Sequence, residues 1–319
     1  MSESETDDTM PIRGGFASTS ACEQRLTGAE SWSTSLGEPL STRDAQAAMP
    51  REPTLITSLQ NDRVKLIRSL DMRKARRETG LFVAEGASLL VTAREAGFQP
   101  RMLVTQAWNE QGEIGRGLVD WALGARAEVL EVSPAVLMKI AAKENPQSMI
   151  GVFEQRWAGP PDGAGLGEAD VWLALENVRD PGNLGTILRT VDAVGAKGVM
   201  LVGQCCDPYS HECVRATMGS IFSVPLVRVE LAAYLEIAKG WRGDVVGTHL
   251  EAQEDFRRAA PRGPVLLAMG SEGPGMSDAV RGACTRLVRI PMAGKLDSLN
   301  LAVATGLCLY QFRGRSLRM

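Results

Sequence analysis

Asn177, Arg179, Asp180, Asn183 and Arg189 crowd into one short stretch, Asn177-Val-Arg179-Asp180-Pro181-Gly182-Asn183-Leu-Gly185-Thr-Ile-Leu-Arg189. Pro181, Gly182 and Gly185 are what a turn needs for its backbone shape. Two asparagines and two arginines are surplus to a turn, and they offer amide and guanidinium donors to a polar or anionic ligand. Two further polar turns follow strand-like runs. One is Met269-Gly270-Ser271-Glu272-Gly273-Pro274-Gly275, the other Ile290-Pro291-Met292-Ala-Gly-Lys-Leu-Asp297-Ser298-Leu299-Asn300. Gly-rich turns let a ligand approach the backbone closely, and helix starts present unpaired amide N–H groups. Such a set suits a nucleotide-like cofactor held by backbone contacts. Phosphate cradling by a Walker lysine motif or a GxGxxG turn is disfavoured, because Gly270, Gly273 and Gly275 have the wrong spacing. Of the two histidines, His211 reads as a helix cap and His249 as a strand-end polar residue, neither with a nucleophile beside it.

These turns need elements to hold them. Apolar runs predict strands at 171–175, 198–202, 224–229, 244–248, 264–269 and 286–290, alternating with helices at 183–194, 211–219, 231–239, 276–282 and 298–312. That alternation describes a mostly parallel sheet with helices on both faces, where sites gather at the carboxyl ends of strands. On its own, Asn183 would serve as a helix cap, Ser298 or Asp297 as the N-cap of the last helix, and Arg179 with Asp180 as a local ion pair.

Upstream, a helix around Asn61–Leu70, strands at 81–84, 101–105, 128–132 and 151–154, and helices between them predict a smaller α/β domain. Arg73–Thr79 reads as a basic polar loop ended by Gly80. The Gly/Pro run 158–168 marks a linker. The resulting division is an acidic, Ser-rich disordered tail (1–52), a small α/β domain (53–157), the linker, and a larger α/β domain (169–319), each domain with a core of its own.

Residues 1–50 carry eight acids and three bases, whereas 51–80 carry eight bases and four acids. The cluster Arg73, Lys74, Arg76 and Arg77 is an electrostatic footprint compatible with nucleic acid, or else a solvated face. Six scattered cysteines without a CxxC pair, and two histidines, give no basis for a zinc site. No apolar run is long enough for a membrane span and no secretory signal opens the chain, so a cytoplasmic location with reduced thiols is expected.

The three polar turns, in this order and spacing, resemble the three motifs of the SpoU/TrmH RNA 2′-O-ribose methyltransferases over roughly 170–313. The basic segment before Phe82-Val-Ala-Glu85-Gly86, together with Lys143-Glu-Asn-Pro-Gln147, is similar to the substrate-binding domain common in that family. The resemblance implies a C-terminal domain with a deep trefoil knot, a homodimer, and S-adenosylmethionine bound without metal. Met269, Gly270, Gly273, Ile290, Met292 and Leu299 match its cofactor positions. Arg189 matches its catalytic arginine, acting as a base or as an electrostatic stabiliser of the reacting ribose. Asn183, Glu272, Ser298 and Asn300 match residues that position substrate, arginine and partner subunit. Arg215, in a segment similar to one flanking the RNA site, joins Arg73, Lys74, Arg76 and Arg77 as an RNA contact. The implied activity is 2′-O-methylation of RNA, ribosomal RNA before transfer RNA, with a catalytically inactive knotted RNA-binding protein as the rival.

Overall fold

The computed structural model describes residues 53–107, 111–141, 148–161 and 165–313. The expectations for residues 1–52 and 143–147 lie outside them.

The smaller half is a five-stranded mixed sheet of order β1-β4-β3-β5-β2. Its strands are β1 (Thr54–Ile56), β2 (Leu81–Glu85), β3 (Met102–Thr105), β4 (Glu128–Val132) and β5 (Met149–Glu154). Helices α1 (Asp62–Ser69) and α5 (Pro134–Ala141) bury Val64, Ile67, Val136 and Leu137 against one face. Helices α3 (Ala87–Glu95) and α4 (Glu113–Gly124) bury Leu89, Leu90, Leu118 and Val119 against the other.

Arg73–Thr79 is helical, not a loop, and forms α2, ended by Gly80 in the left-handed region at φ 67°. The basic run hid this helix because its inward side is not apolar. Arg76 is the side chain it buries, at 4% exposure.

The larger half is a seven-stranded sheet of order β10-β12-β9-β11-β6-β7-β8, every neighbouring pair parallel. Its strands are β6 (Val171–Glu176), β7 (Gly198–Val202), β8 (Leu226–Val229), β9 (Val245–Thr248), β10 (Glu254–Asp255), β11 (Val265–Met269) and β12 (Arg286–Arg289). β6, β7 and β11 are buried along their whole length, as continuous apolar runs in a parallel sheet covered on both faces should be. The helices are α6 (Pro181–Ala193), α7 (His211–Ala216), α8 (Leu231–Lys239), α9 (Asp278–Ala283) and α10 (Leu301–Phe312).

Each half has a core cluster of its own, and a third cluster is shared between them. Phe82 packs on Tyr209 with the rings tilted and 4.7 Å apart, and Phe98 and Phe153 meet Phe222 edge-on at 4.9 and 5.3 Å. Apolar strand-like runs mark Phe82 and Phe153 for burial but say nothing of which neighbour buries them. Arg76 Nε donates to Asp207 Oδ2 at 2.8 Å, both side chains nearly sealed from solvent, and its Nη1 satisfies the Leu70 and Asp71 carbonyls. Removing one partner of a buried ion pair strands a charge, at a typical cost of about 3–5 kcal/mol. The expected linker begins bound to the larger sheet, since the Ala158 amide donates to the Leu226 carbonyl at 2.8 Å.

Candidate active site

At the end of β6 the backbone turns through Asn177, held in the left-handed region at φ 52°. The Asn177 Oδ1 accepts the Gln204 amide at 2.8 Å, tying this turn to the one after β7. Asp180, not Asn183, is the N-cap of α6; it accepts the Asn183 amide at 2.6 Å and forms no ion pair with Arg179. Pro181 then occupies the first helical turn, where its missing N–H costs nothing. One turn on, a Cβ at Gly185 would lie 2.5 Å from Ala216 Cβ and 2.7 Å from the Cys213 carbonyl. Glycine is therefore what lets α6 and α7 cross closely, setting the helix of Arg189 against the helix of Arg215.

A chain of side-chain amides spans the site. Glu272 Oε1 accepts from Asn183 Nδ2 at 3.0 Å, and Asn183 Oδ1 accepts from Asn300 Nδ2 at 2.9 Å. Asn300 Oδ1 in turn accepts the Ala302 and Val303 amides, which makes Asn300, rather than Ser298 or Asp297, the N-cap of α10. Every amide orientation is dictated by its neighbour: a carboxylate can only accept, and backbone N–H groups can only donate. Glu272 Oε2 also accepts the Arg179 amide at 3.2 Å. Partial burial pushes the Glu272 carboxyl up, but the bonds from Asn183 and from nearby amides outweigh it and hold its pKa below the ordinary 4.5.

The second turn is folded on itself. Ser271 and Gly275 exchange backbone hydrogen bonds at 3.1 Å, and Gly273 and Gly275 sit at φ 94° and 75°. A Cβ on Gly270 would come within 2.0 Å of the Gly275 carbonyl carbon, so no side chain fits there. Glu176, buried at the end of β6, accepts the Ser277 amide at 2.8 Å and fastens the turn to the sheet.

Between the second and third turns lies a cavity of about 460 Å³. Met269, Gly270, Gly273, Ile290, Met292 and Leu299 all line it, with Glu272, Ser298 and Asn300 at the same wall. Thr248, the last residue of β9, and His249 and Leu250 just beyond it line it too, and the sequence reading does not single them out for the site. The signal was available: they stand at the carboxyl end of a parallel strand beside β11. His249 is held by the Glu251 amide on Nδ1 at 3.2 Å. Among the described residues no group of three or more His, Cys, Asp or Glu could hold a metal ion.

Arg189 is exposed on α6, and its side chain makes no hydrogen bond or ion pair among the described residues. Arg73, Lys74, Arg77 and Arg215 are exposed as well. Arg76 is not: with its donors spent on Asp207 and two carbonyls, it is removed from the set of RNA contacts. His211 is not a cap, a role taken by Ser210; its Nε2 lies 2.9 Å from Glu85 Oε2, across the junction of the two halves.

Residues 170–310 match the model of the SpoU rRNA methylase family, and residues 61–151 match that of the MRM3-like substrate binding domain. An uncharacterised tRNA/rRNA methyltransferase of Synechocystis is 35% identical over 263 residues, covering 81% of this chain and 93% of the relative. The chain belongs to the SpoU family. The 23S rRNA (uridine(2479)-2′-O)-methyltransferase of Streptomyces viridochromogenes is 32% identical over 249 residues, covering 76% of this SpoU chain and 85% of that one. The crystal structure of an AdoMet-bound rRNA methyltransferase from Sinorhizobium meliloti is 40% identical and superposes with a TM-score of 0.77, covering 83% of this chain and 99% of that one.

Proposed function

We propose that this SpoU protein transfers a methyl group from S-adenosylmethionine to a ribose 2′-hydroxyl of ribosomal RNA. The observation that carries the reading is the Glu272–Asn183–Asn300 chain, which runs from the wall of the Gly270 cavity to the helix of Arg189. The cavity suits the methyl donor. Gly270 leaves backbone where a side chain would stand, and Met269, Ile290, Met292 and Leu299 offer apolar contact. Bound there, S-adenosylmethionine supplies a methyl carbon already activated by its sulfonium. The protein then has to align the 2′-oxygen with that carbon and favour loss of its proton. Arginine keeps its charge in proteins. We therefore assign Arg189 to gripping a phosphate and stabilising the developing alkoxide, with Asn183 and Glu272 fixing the wall it works against.

Residues 53–157 are assigned to RNA binding and 169–319 to methyl transfer. The family's trefoil knot is compatible with the strand order. β12 lies on the far side of β9, yet the chain returns from it to pack α10 on α6 and β11. A homodimer is supported by α10 itself, which exposes Val303, Leu307 and Tyr310 in one stripe continued by Leu299. No described helix is long and apolar enough to cross a membrane, and the five described cysteines are free; we place the protein in the cytoplasm.

The test is incubation of the protein with methyl-tritiated S-adenosylmethionine and an unmodified ribosomal RNA transcript. Wild type incorporates label, and Arg189→Ala does not while still binding S-adenosylmethionine in calorimetry. No incorporation by wild type into ribosomal or transfer RNA would overturn the reading.

A further inference from the structure

Beyond the methyl site, the carboxyl ends of β7 and β8 open into a cleft of about 350 Å³ whose walls include Arg73, Arg77, Gln204 and Arg228. A second hollow, of about 490 Å³, shares Gly203, Gln204 and Glu230 with it and reaches Asn177 and Arg179. The Arg179 amide is bonded to Glu272, which lines the cofactor cavity. The two hollows therefore form one groove over the Gly203-Gln204 turn, running from helix α2 of the smaller half to Arg179, whose amide is bonded to a residue of the cofactor-cavity wall.

Its charge is one-sided. Arg73, Arg77, Arg179 and Arg228 are all exposed. Of the acids along it, Asp207 is neutralised by Arg76 and Glu176 is buried against the Ser277 amide, which leaves Glu230. Cys206, in the same wall, adds no negative charge, because burial pushes its thiol up to about 12. Two of the arginines are held in place beforehand. Arg228 stacks over the Trp157 ring at 4.2 Å, and Arg73 donates to the Cys205 carbonyl at 3.2 Å. A guanidinium fixed in this way still has donors for the forked grip that suits phosphate. The walls come from both halves of the chain, and the buried Arg76–Asp207 pair fixes their spacing.

We propose that this groove holds the phosphate backbone of the single-stranded RNA next to the methylated nucleotide, with Arg77 and Arg228 as clamps from opposite walls. The inference rests on the function proposed above and adds the path of the substrate strand. Unpaired RNA is what a narrow basic groove accepts, and it is the form in which a ribose can be presented to a recessed cofactor.

The probe is an unmodified 23S ribosomal RNA transcript, used with the full chain in binding titrations over a range of salt and in methyl transfer. Arg77→Glu combined with Arg228→Glu should raise KM for the transcript about tenfold or more. It should also flatten the slope of log affinity against log salt by about 1.4, two single-strand phosphate contacts. Calorimetric affinity for S-adenosylmethionine should stay within about twofold of wild type, as expected when phosphate contacts alone are lost. Arg68→Glu combined with Lys139→Glu makes the same charge change on the opposite face of the small sheet and should leave KM and slope unchanged. An unchanged KM and slope in the groove variant, or an equal loss in both variants, would overturn the groove. Should the Glu pair lose S-adenosylmethionine binding through misfolding, Arg77→Gln with Arg228→Gln carries the same salt test. If wild type binds the transcript with this salt dependence but transfers no methyl, the proposed activity fails and the groove stands.

Discussion

Asn300 Nδ2 donates to Asn183 Oδ1 at 2.9 Å, joining two side chains 117 residues apart. The bond couples the fold to the chemistry, because the same Asn300 caps the last helix through its other amide atom. The two duties are separable. Asp caps a helix as well as Asn does, but as a carboxylate it has no donor for Asn183 Oδ1. Asn300→Asp should melt within a few degrees of wild type yet lose most methyl transfer. Asn300→Ala should lose activity and about 1 kcal/mol of stability besides. Thermal melts paired with methyl-transfer rates distinguish the two; full activity in Asn300→Asp would mean the bond to Asn183 has no part in the site.

At Gly270 the constraint is steric. The Gly275 carbonyl carbon, 2.0 Å from where a Cβ would stand, belongs to backbone that is itself tied by the Ser271–Gly275 bonds. Gly270→Ala should therefore abolish S-adenosylmethionine binding in calorimetry. Gly282→Ala, in helix α9 with open space around its Cβ position, should leave binding intact and be neutral or stabilising by up to about 1 kcal/mol. Tight binding by Gly270→Ala would show that the second turn is looser than its geometry.

Glu272 gives the site a pH signature. Its folded pKa is depressed below 4.5, so its contribution to stability is fully present above the unfolded value and disappears as pH falls through the folded one. Glu272→Gln lacks this contribution at every pH. In denaturant titrations the stability gap between wild type and Glu272→Gln should be widest near neutrality and close as pH is lowered through the acid range. A gap that stays constant or grows would contradict the network around Asn183.

Helix α10 leaves Leu307 and Val303 41% and 52% exposed in the isolated chain. If a second copy covers them, Leu307→Glu should convert a dimer into a monomer in sedimentation velocity, and wild type should sediment as a dimer. A wild-type monomer would remove the homodimer from the account.

Much of this was legible in the residues. Continuous apolar runs located β6, β7 and β11, because a strand buried on both faces has no alternation to confuse with a helix. The Gly270 and Ile290 turns stood out by composition, and both line one cavity. What failed did so for local reasons. Helix α2 was hidden because its inward residue is an arginine paired with Asp207, over a hundred positions away. Ser298 and Asp297 are each good cappers by residue type, and neither betrays that Asn300 is the one placed to cap α10. Thr248, His249 and Leu250 were missed because a short strand with ordinary residues after it carries no excess chemistry. The shared aromatic core escaped notice because periodicity reports that a side chain is buried, never against what.

The most direct test is to find the atom that receives the methyl group. After transfer from methyl-tritiated S-adenosylmethionine to an unmodified ribosomal RNA transcript, the RNA is hydrolysed in alkali, which cleaves only where a free 2′-hydroxyl can attack its phosphate. The account predicts label confined to an alkali-resistant dinucleotide that yields a 2′-O-methylnucleoside on enzymatic digestion. Label released as a base-methylated mononucleotide would contradict it.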